Sequence, residues 1–332
     1  MLILPHTLLF SSNRNRIFVQ QTKIILKHTS TYLYTQIVIV PIQHVPLYLC
    51  HIIFIIINSF KVLIVKPIHI PQARIVGGHQ AKPHSHPYIV SLQLKFLWIH
   101  AHICGGSILN ERWVLTAAHC VSNSFLIRWL NMDAVAGAHD VDYYGPKAQV
   151  TKIVRRIPHP DYNGGVGPND VAVLKTENKF IFSDEIKPIN LPISALKMTD
   201  PDLMLPGWGV LKTTLFIPDL PSNLHELKVT YVPYESNIDG LLEVNEDNPL
   251  DKEANVCTGP LGGGTAACNG DSGGPLVLRE CYKQNGGKQN VISFIIGIVS
   301  WGISPCGEKG APSVFTNVSH YADFIHKYVT VT

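Results

Sequence analysis

Acidic side chains are missing from the first 73 residues of this 332-residue chain, and all 24 Asp and Glu lie further on. Seven of the 27 Lys and Arg fall at or before Arg74, so residues 75–332 carry 20 bases against 24 acids, a net −4. The formal +3 of the whole chain therefore belongs to the prefix. A mildly acidic remainder gives no reason to expect nucleic acid as a partner. Helix-period apolar stretches are scarce, which argues against a helical class. Low-complexity tracts and internal repeats are absent too, which removes solenoids and other repeat arrays. A membrane-spanning helix needs about 20 largely apolar residues. The nearest approach, Ile52 to Ile57 within 46–65, is short and flanked by His51, Asn58 and Lys61.

What is present is a succession of short β-branched runs broken by Gly, Pro and Asn. Tyr88 to Leu94, Asp170 to Leu174 and Val291 to Ser300 are examples. Short strands at this spacing predict an all-β sandwich or barrel. A hydrophobic share of 46% is enough for one large core or two medium ones. Leu191 to Pro201, with Pro192 near its start, reads as the crossing between two β-rich halves. The chain closes on a helix of about 320–331, with Ser319 as its cap. Tyr321, Phe324, Ile325 and Tyr328 form its core-facing stripe. The prefix, residues 1–74, leaves three readings open. It is a late signal peptide with a short apolar centre, a signal anchor over 46–65 with Arg14, Arg16, Lys23 and Lys27 held inside the cell, or translated sequence ahead of the true start.

Three segments carry chemistry: Leu115-Thr-Ala-Ala-His-Cys120, Asn169-Asp-Val-Ala-Val-Leu174 and Cys268-Asn-Gly-Asp-Ser-Gly-Gly-Pro-Leu276. A serine hydroxyl is a poor nucleophile at neutral pH, so it needs an adjacent base, and the base needs an orienting partner. The chain supplies Ser272, His119 and Asp170, one candidate of each kind. Singly, each has a bland explanation: a solvated histidine, a turn aspartate, a tight glycine loop. Together, in these contexts, chance is a poor account of them.

From Ile75 to the C-terminus the sequence resembles the chymotrypsin-like serine protease family (trypsin, chymotrypsin, elastase). The resemblance rests on Ile-Val-Gly-Gly at 75–78, Cys-Gly-Gly-Ser at 104–107 and Thr-Ala-Ala-His-Cys at 116–120. It continues through Gly-Trp-Gly at 207–209, Gly-Asp-Ser-Gly-Gly-Pro at 270–275 and Ser-Trp-Gly at 300–302. It implies an all-β fold: two packed six-stranded antiparallel barrels, about 75–191 and about 202–318, then the C-terminal helix. The active site would lie in the cleft between the barrels. In the implied roles Ser272 attacks the peptide carbonyl, His119 takes and returns the proton, and Asp170 holds the imidazole tautomer. The Gly270 and Ser272 N–H groups form the oxyanion hole, and a missing side chain at 270 lets its N–H face the substrate.

The resemblance further implies a zymogen cut after Arg74 by a trypsin-like protease. The freed α-amino group of Ile75 would insert beside Asp271. It pairs Cys104 with Cys120 and Cys268 with Cys306, which points to an oxidising compartment and a secreted enzyme. Of the seven cysteines, Cys50 lies in the prefix, and Cys257 and Cys281 are left as orphans or as an unusual pair. Leu203 and Leu278 stand where many relatives carry a further bridge, and two leucines can fill that space as packed core.

In the implied substrate pocket Ala266 occupies the base, Ser300, Trp301 and Gly302 the wall, and Ser313 the side opposite. A trypsin-like pocket needs a carboxylate at the base. Burying a substrate cation against Ala266 would cost several kcal/mol, so cleavage after apolar residues is expected, Leu and Phe ahead of Ala. Neither a cofactor nor a metal is implied. Ala138 and Gly145 replace expected calcium ligands, and the cluster of His79, His84, His86, His100 and His102 reads as unpaired surface residues rather than a zinc site. Asn317-Val-Ser319 is a glycosylation sequon that equally suits structural roles for Asn317 and Ser319. The partners implied are protein or peptide substrates, the activating protease and protein protease inhibitors, with the enzyme a monomer. The rival readings are a catalytically silent protease-like binding protein and a membrane-anchored protease.

Overall fold

The computed structural model describes residues 3–12, 15–24, 78–96, 99–122, 130–192, 201–209, 212–214, 217–219, 221–237, 249–283, 289–303 and 306–329. Arg74 and Ile75, the apolar run of 46–65 and most of the crossing after Leu191 lie outside these residues. The chain divides into two compact units, residues 1–70 and 71–332. In the first, β1 (Ile3–Ser12) and β2 (Asn15–Ile24) pair as an antiparallel hairpin.

In the second unit the short apolar runs become strands that close on themselves. β4 (Ile89–Phe96), β5 (Ile99–Asn110), β6 (Trp113–Thr116), β7 (Asn131–Ala136), β8 (Gln149–Pro158) and β9 (Ala172–Thr176) form a closed antiparallel barrel in the order β4-β5-β6-β9-β8-β7. On β8, Thr151 and Ile153 are buried while Val150, Lys152 and Val154 are exposed, the alternation of a strand with one wet face. β6 is buried throughout, as a strand covered on both sides must be.

The second barrel uses β10 (Leu203–Gly207), β13 (His225–Val232), β14 (Asn255–Gly259), β15 (Pro275–Lys283), β16 (Gln289–Gly302) and β17 (Ser313–Asn317). They run β10-β15-β16-β17-β14-β13, and pairing of β13 with β10 closes the ring. Two antiparallel six-stranded barrels are thus present. The short β3 (His79–Gln80) adds to β13, tying the chain ahead of the first barrel to the second. β11 (Lys212–Thr214) and β12 (Ile217–Asp219) form a separate hairpin.

Leu203 and Leu278 face each other across β10 and β15, with relative exposures of 0% and 5% in one apolar cluster. Each buried leucine contributes about 1.5–3 kcal/mol, comparable to the roughly 2–4 kcal/mol of a bridge. After β17 the chain ends in α2 (Ala322–Tyr328), preceded at the start of the first barrel's helical turn by α1 (His119–Ser122). Tyr321, Phe324 and Ile325 are buried and Tyr328 packs beside them. The cap differs from expectation. Tyr321 rather than Ser319 is the N-cap residue, and it caps with no side-chain hydrogen bond; the Ser319 N–H is held by Asn317 Oδ1 at 3.1 Å.

Candidate active site

His119 begins α1, directly after the buried strand β6 and the buried Ala117 and Ala118. The disulfide Cys104–Cys120 fastens this turn to β5, and its sulfurs and a His119 ring nitrogen lie within 4.8 Å of one another. Asp170 stands just before β9 and is 2% exposed. Its Oδ2 accepts the His119 Nδ1 proton at 2.8 Å, and its Oδ1 accepts the His119 backbone N–H at 2.9 Å. Ser300 donates its hydroxyl to the same Oδ2 at 2.6 Å, and Thr316 donates to the Asp170 carbonyl at 2.8 Å. A carboxylate saturated in this way is secured in a dry place. An imidazole giving its Nδ1 proton to it presents Nε2 as a base.

Ser272 follows the disulfide-tethered Cys268 by four residues, in a turn closed by Asp271 N–H to Cys268 O and Gly274 N–H to Asp271 O, both 2.9 Å. Its carbonyl accepts the Gly105 N–H at 2.8 Å. A Cβ at Gly273 would come within 2.2 Å of Thr116 Oγ1 and 3.0 Å of Cys120 Sγ. Only glycine lets the turn bearing Ser272 press so closely on the segment bearing His119. Among the described residues Ser272 Oγ makes no hydrogen bond to His119. Such contacts often close only when substrate is bound. Gly270 has φ +100°, and a Cβ there would lie 3.0 Å from Gly209 Cα, so neither its conformation nor its surroundings admit a side chain.

Ala266, Gly302 and Ser313 are also brought together. Gly302 pairs with Ser313 across β16 and β17, and Ser313 Oγ accepts the Ala267 N–H at 3.0 Å. The disulfide Cys268–Cys306 ties the same loops. Ala266 is buried, and a Cβ at Gly302 would meet nothing closer than Pro312 O at 3.9 Å.

The comparison with known proteins agrees with this geometry. The trypsin family profile matches residues 75–325. The chain belongs to the trypsin family of serine endopeptidases. It is similar to Lectizyme of Glossina austeni, 35% identical over 265 residues, covering 77% of this chain and 86% of that one. Trypsin II-P29 of Gallus gallus is 33% identical over 279 residues, covering 83% and 98%. Duodenase-1 of Bos taurus is 35% identical over 255 residues, covering 76% and 88%.

Within this trypsin-family site Asp271 is the most buried acid, 1% exposed. Its oxygens accept the backbone N–H groups of Gly209 at 2.8 Å and Cys268 at 3.0 Å. Burial pushes its carboxyl up to about 6, and these two donors only partly offset that. Behind Gly270, His102 donates its Nε2 proton to Gly270 O at 3.0 Å and accepts the Ser91 hydroxyl at Nδ1 at 2.7 Å. Burial lowers its basicity, so it serves as a neutral prop. A cavity of about 450 Å³ opens beside it, lined by His100, Asp142, Trp208, Ser222, Asn269 and Gly270 among others.

The expectation of unpaired surface histidines needs correcting. His86 is buried and bonds Glu226 Oε2 at 2.6 Å and the Tyr88 hydroxyl at 2.8 Å, while His79 lies 3.1 Å from Glu226 Oε1. The acid that organises them is 140 residues away from His86, so no local pattern announced it. Sequence reasoning missed Thr316 and gave His102 only a surface place and Tyr321 only a core one, while all three make long-range hydrogen bonds. Ser300 was read only as pocket wall. Cys257 is buried and Cys281 exposed, both unpaired, and burial pushes the Cys257 thiol up to about 12. Asn317 Nδ2 donates to Glu253 O at 2.7 Å.

Proposed function

We propose that the chain is a secreted serine endopeptidase that cuts after apolar residues and is made as a zymogen activated by cleavage after Arg74. Ser272 is the nucleophile, His119 the base that takes its proton and returns it to the leaving amine, and Asp170 the carboxylate that fixes the His119 tautomer. The tetrahedral oxyanion is held by the Gly270 and Ser272 N–H groups, where losing one donor costs about 3–4 kcal/mol of barrier. The observation that carries the specificity is the uncharged pocket base. Ala266 is apolar and Ser313 accepts the Ala267 N–H, so a substrate Arg or Lys would find no carboxylate there.

Activation is supported by Asp271, a buried acid with two backbone donors and no cation among the described residues. An ammonium freed at Ile75 would supply that charge. The cavity beside His102 and Gly270 offers room for peptide chain beyond the cut bond. Two disulfides favour an oxidising compartment, and no helix among the described residues is long and apolar enough to cross a membrane. The test is a peptide library digested by enzyme cut at Arg74 and read by mass spectrometry. Cleavage dominated by Leu, Met and Phe before the cut is expected. Dominant cleavage after Arg or Lys would overturn the pocket reading, and dominant cleavage after Ala would mean a narrower pocket.

A further inference from the structure

Asp170 lies at the centre of a three-residue turn closed by Val171 N–H donating to Asn169 O at 2.8 Å. The orientation of the Asn169 peptide therefore sets where the Asp170 carboxylate points. Asn169 has φ +67°, a region that asparagine enters more readily than most residues but still at a cost. The loop leading to it is rich in glycine, with the Tyr162 hydroxyl donating to Gly165 O at 3.3 Å. Gly164, Gly165 and Gly167 all have positive φ, and a Cβ at Gly165 or Gly167 would touch nothing within 4 Å.

The restraint comes from 152 residues away in sequence. The Asn169 N–H donates to Tyr321 Oη at 2.7 Å, and the Tyr321 hydroxyl donates to Asn169 Oδ1 at 3.2 Å. Asn169 Nδ2 continues to Asp161 O at 3.3 Å. Tyr321 is itself fixed, 4% exposed, with the rings of His159 and His320 set edge-on to it at 5.4 and 4.8 Å. Burial raises its phenol pKa, the Asn169 N–H opposes this, and the Asp251 and Asp170 carboxylates add to the rise. The phenol thus stays a donor and lies within electrostatic reach of Asp170.

We propose that Tyr321 is a positioning residue for catalysis, clamping Asn169 in its left-handed conformation and so aiming the Asp170 carboxylate at His119. The proposal rests on reading His119, Asp170 and Ser272 as the triad. It is tested on enzyme cut at Arg74, with active sites counted by a serine-phosphonylating reagent. Tyr321→Phe keeps the ring and removes the hydroxyl. Its kcat per counted site should fall about tenfold with KM within about twofold. Adding Asn169→Gly, which takes φ +67° freely, should recover most of that loss. A kcat per site within twofold of the parent would overturn the clamp, even if Tm drops, because that is what a purely structural hydroxyl would give. A fall that Asn169→Gly does not recover would overturn it as well. Should Tyr321→Phe not fold, Asn169→Ala must show the same fall in kcat, and an unchanged kcat there refutes the clamp. Asp170→Asn separates the two readings: if it keeps full activity the triad itself is wrong, and if it is inactive while Tyr321→Phe is not, only the clamp is wrong.

Discussion

Ser300 donates its hydroxyl at 2.6 Å to Asp170 Oδ2, the same oxygen that takes the His119 Nδ1 proton at 2.8 Å. Two donors on one buried oxygen fix the carboxylate rotation, so the imidazole has one orientation to adopt. Asp170→Asn should lower kcat by about 10⁴, the scale seen when this carboxylate is neutralised in Ser-His-Asp hydrolases. Ser300→Ala removes one hydrogen bond to a charged group and should cost about tenfold or somewhat more. Turnover per active site, counted by burst titration, checks both.

The Ser313 hydroxymethyl occupies space beside Ala266 and Gly302, held by the Ala267 N–H. Ser313→Gly should widen the pocket, shifting preference from Leu towards Phe and Trp by about tenfold or more, the range of 1–3 kcal/mol that small volume changes in a pocket confer. Competing Leu and Trp peptides in one reaction would read this ratio directly. An unchanged ratio would remove Ser313 from the pocket.

Leu203 and Leu278 pack where a bridge could stand. Leu203→Ala, at a site with 0% exposure, should destabilise by about 2–5 kcal/mol. Replacing both by Cys should give an oxidised bridge that restores about 2–4 kcal/mol relative to its reduced form. Denaturant unfolding with and without reductant checks this.

Asp271 carries a pH signature. Its carboxyl is raised by burial from 3.8 to about 6, so between those values the folded chain binds more protons than the unfolded one. Stability of the uncut chain should therefore be greatest below pH 4 as far as this group is concerned, and fall as pH rises to about 6. The loss is on the order of 3 kcal/mol. Asp271→Asn should flatten this part of the profile, and the proposed cut at Arg74, which would bring a cation to Asp271, should abolish the fall. Unfolding free energies measured from pH 4 to 7 would show whether it occurs.

The barrels were legible because short β-branched runs punctuated by glycine and proline leave few alternatives. Ile89 to Leu94 of the first run and all of Val291 to Ser300 fall within β4 and β16, with Tyr88 just ahead of β4. The chemistry was legible because His119, Asp170 and Ser272 each lie in a short, distinctive string. What escaped was held by contacts between distant residues. The bond from Tyr321 to Asn169 and the Glu226 bonds to His79 and His86 cross the fold, and a helical stripe such as Tyr321, Phe324 and Ile325 reads as core whether or not one hydroxyl reaches further. The helix cap misled because Asn317 and Ser319 both carry cap chemistry, yet the cap falls on neither but on Tyr321.

The central claim, a Ser272 nucleophile switched on by cleavage after Arg74, is tested most directly by labelling. The intact chain and the chain cut at Arg74 are each treated with a phosphonylating serine reagent, and the adduct is located by peptide mapping. The account predicts one adduct, on Ser272, forming rapidly in the cut chain and at least a hundredfold more slowly in the intact one, roughly the loss of an oxyanion donor. No adduct on Ser272 after cleavage, or equal labelling before and after it, would contradict the account.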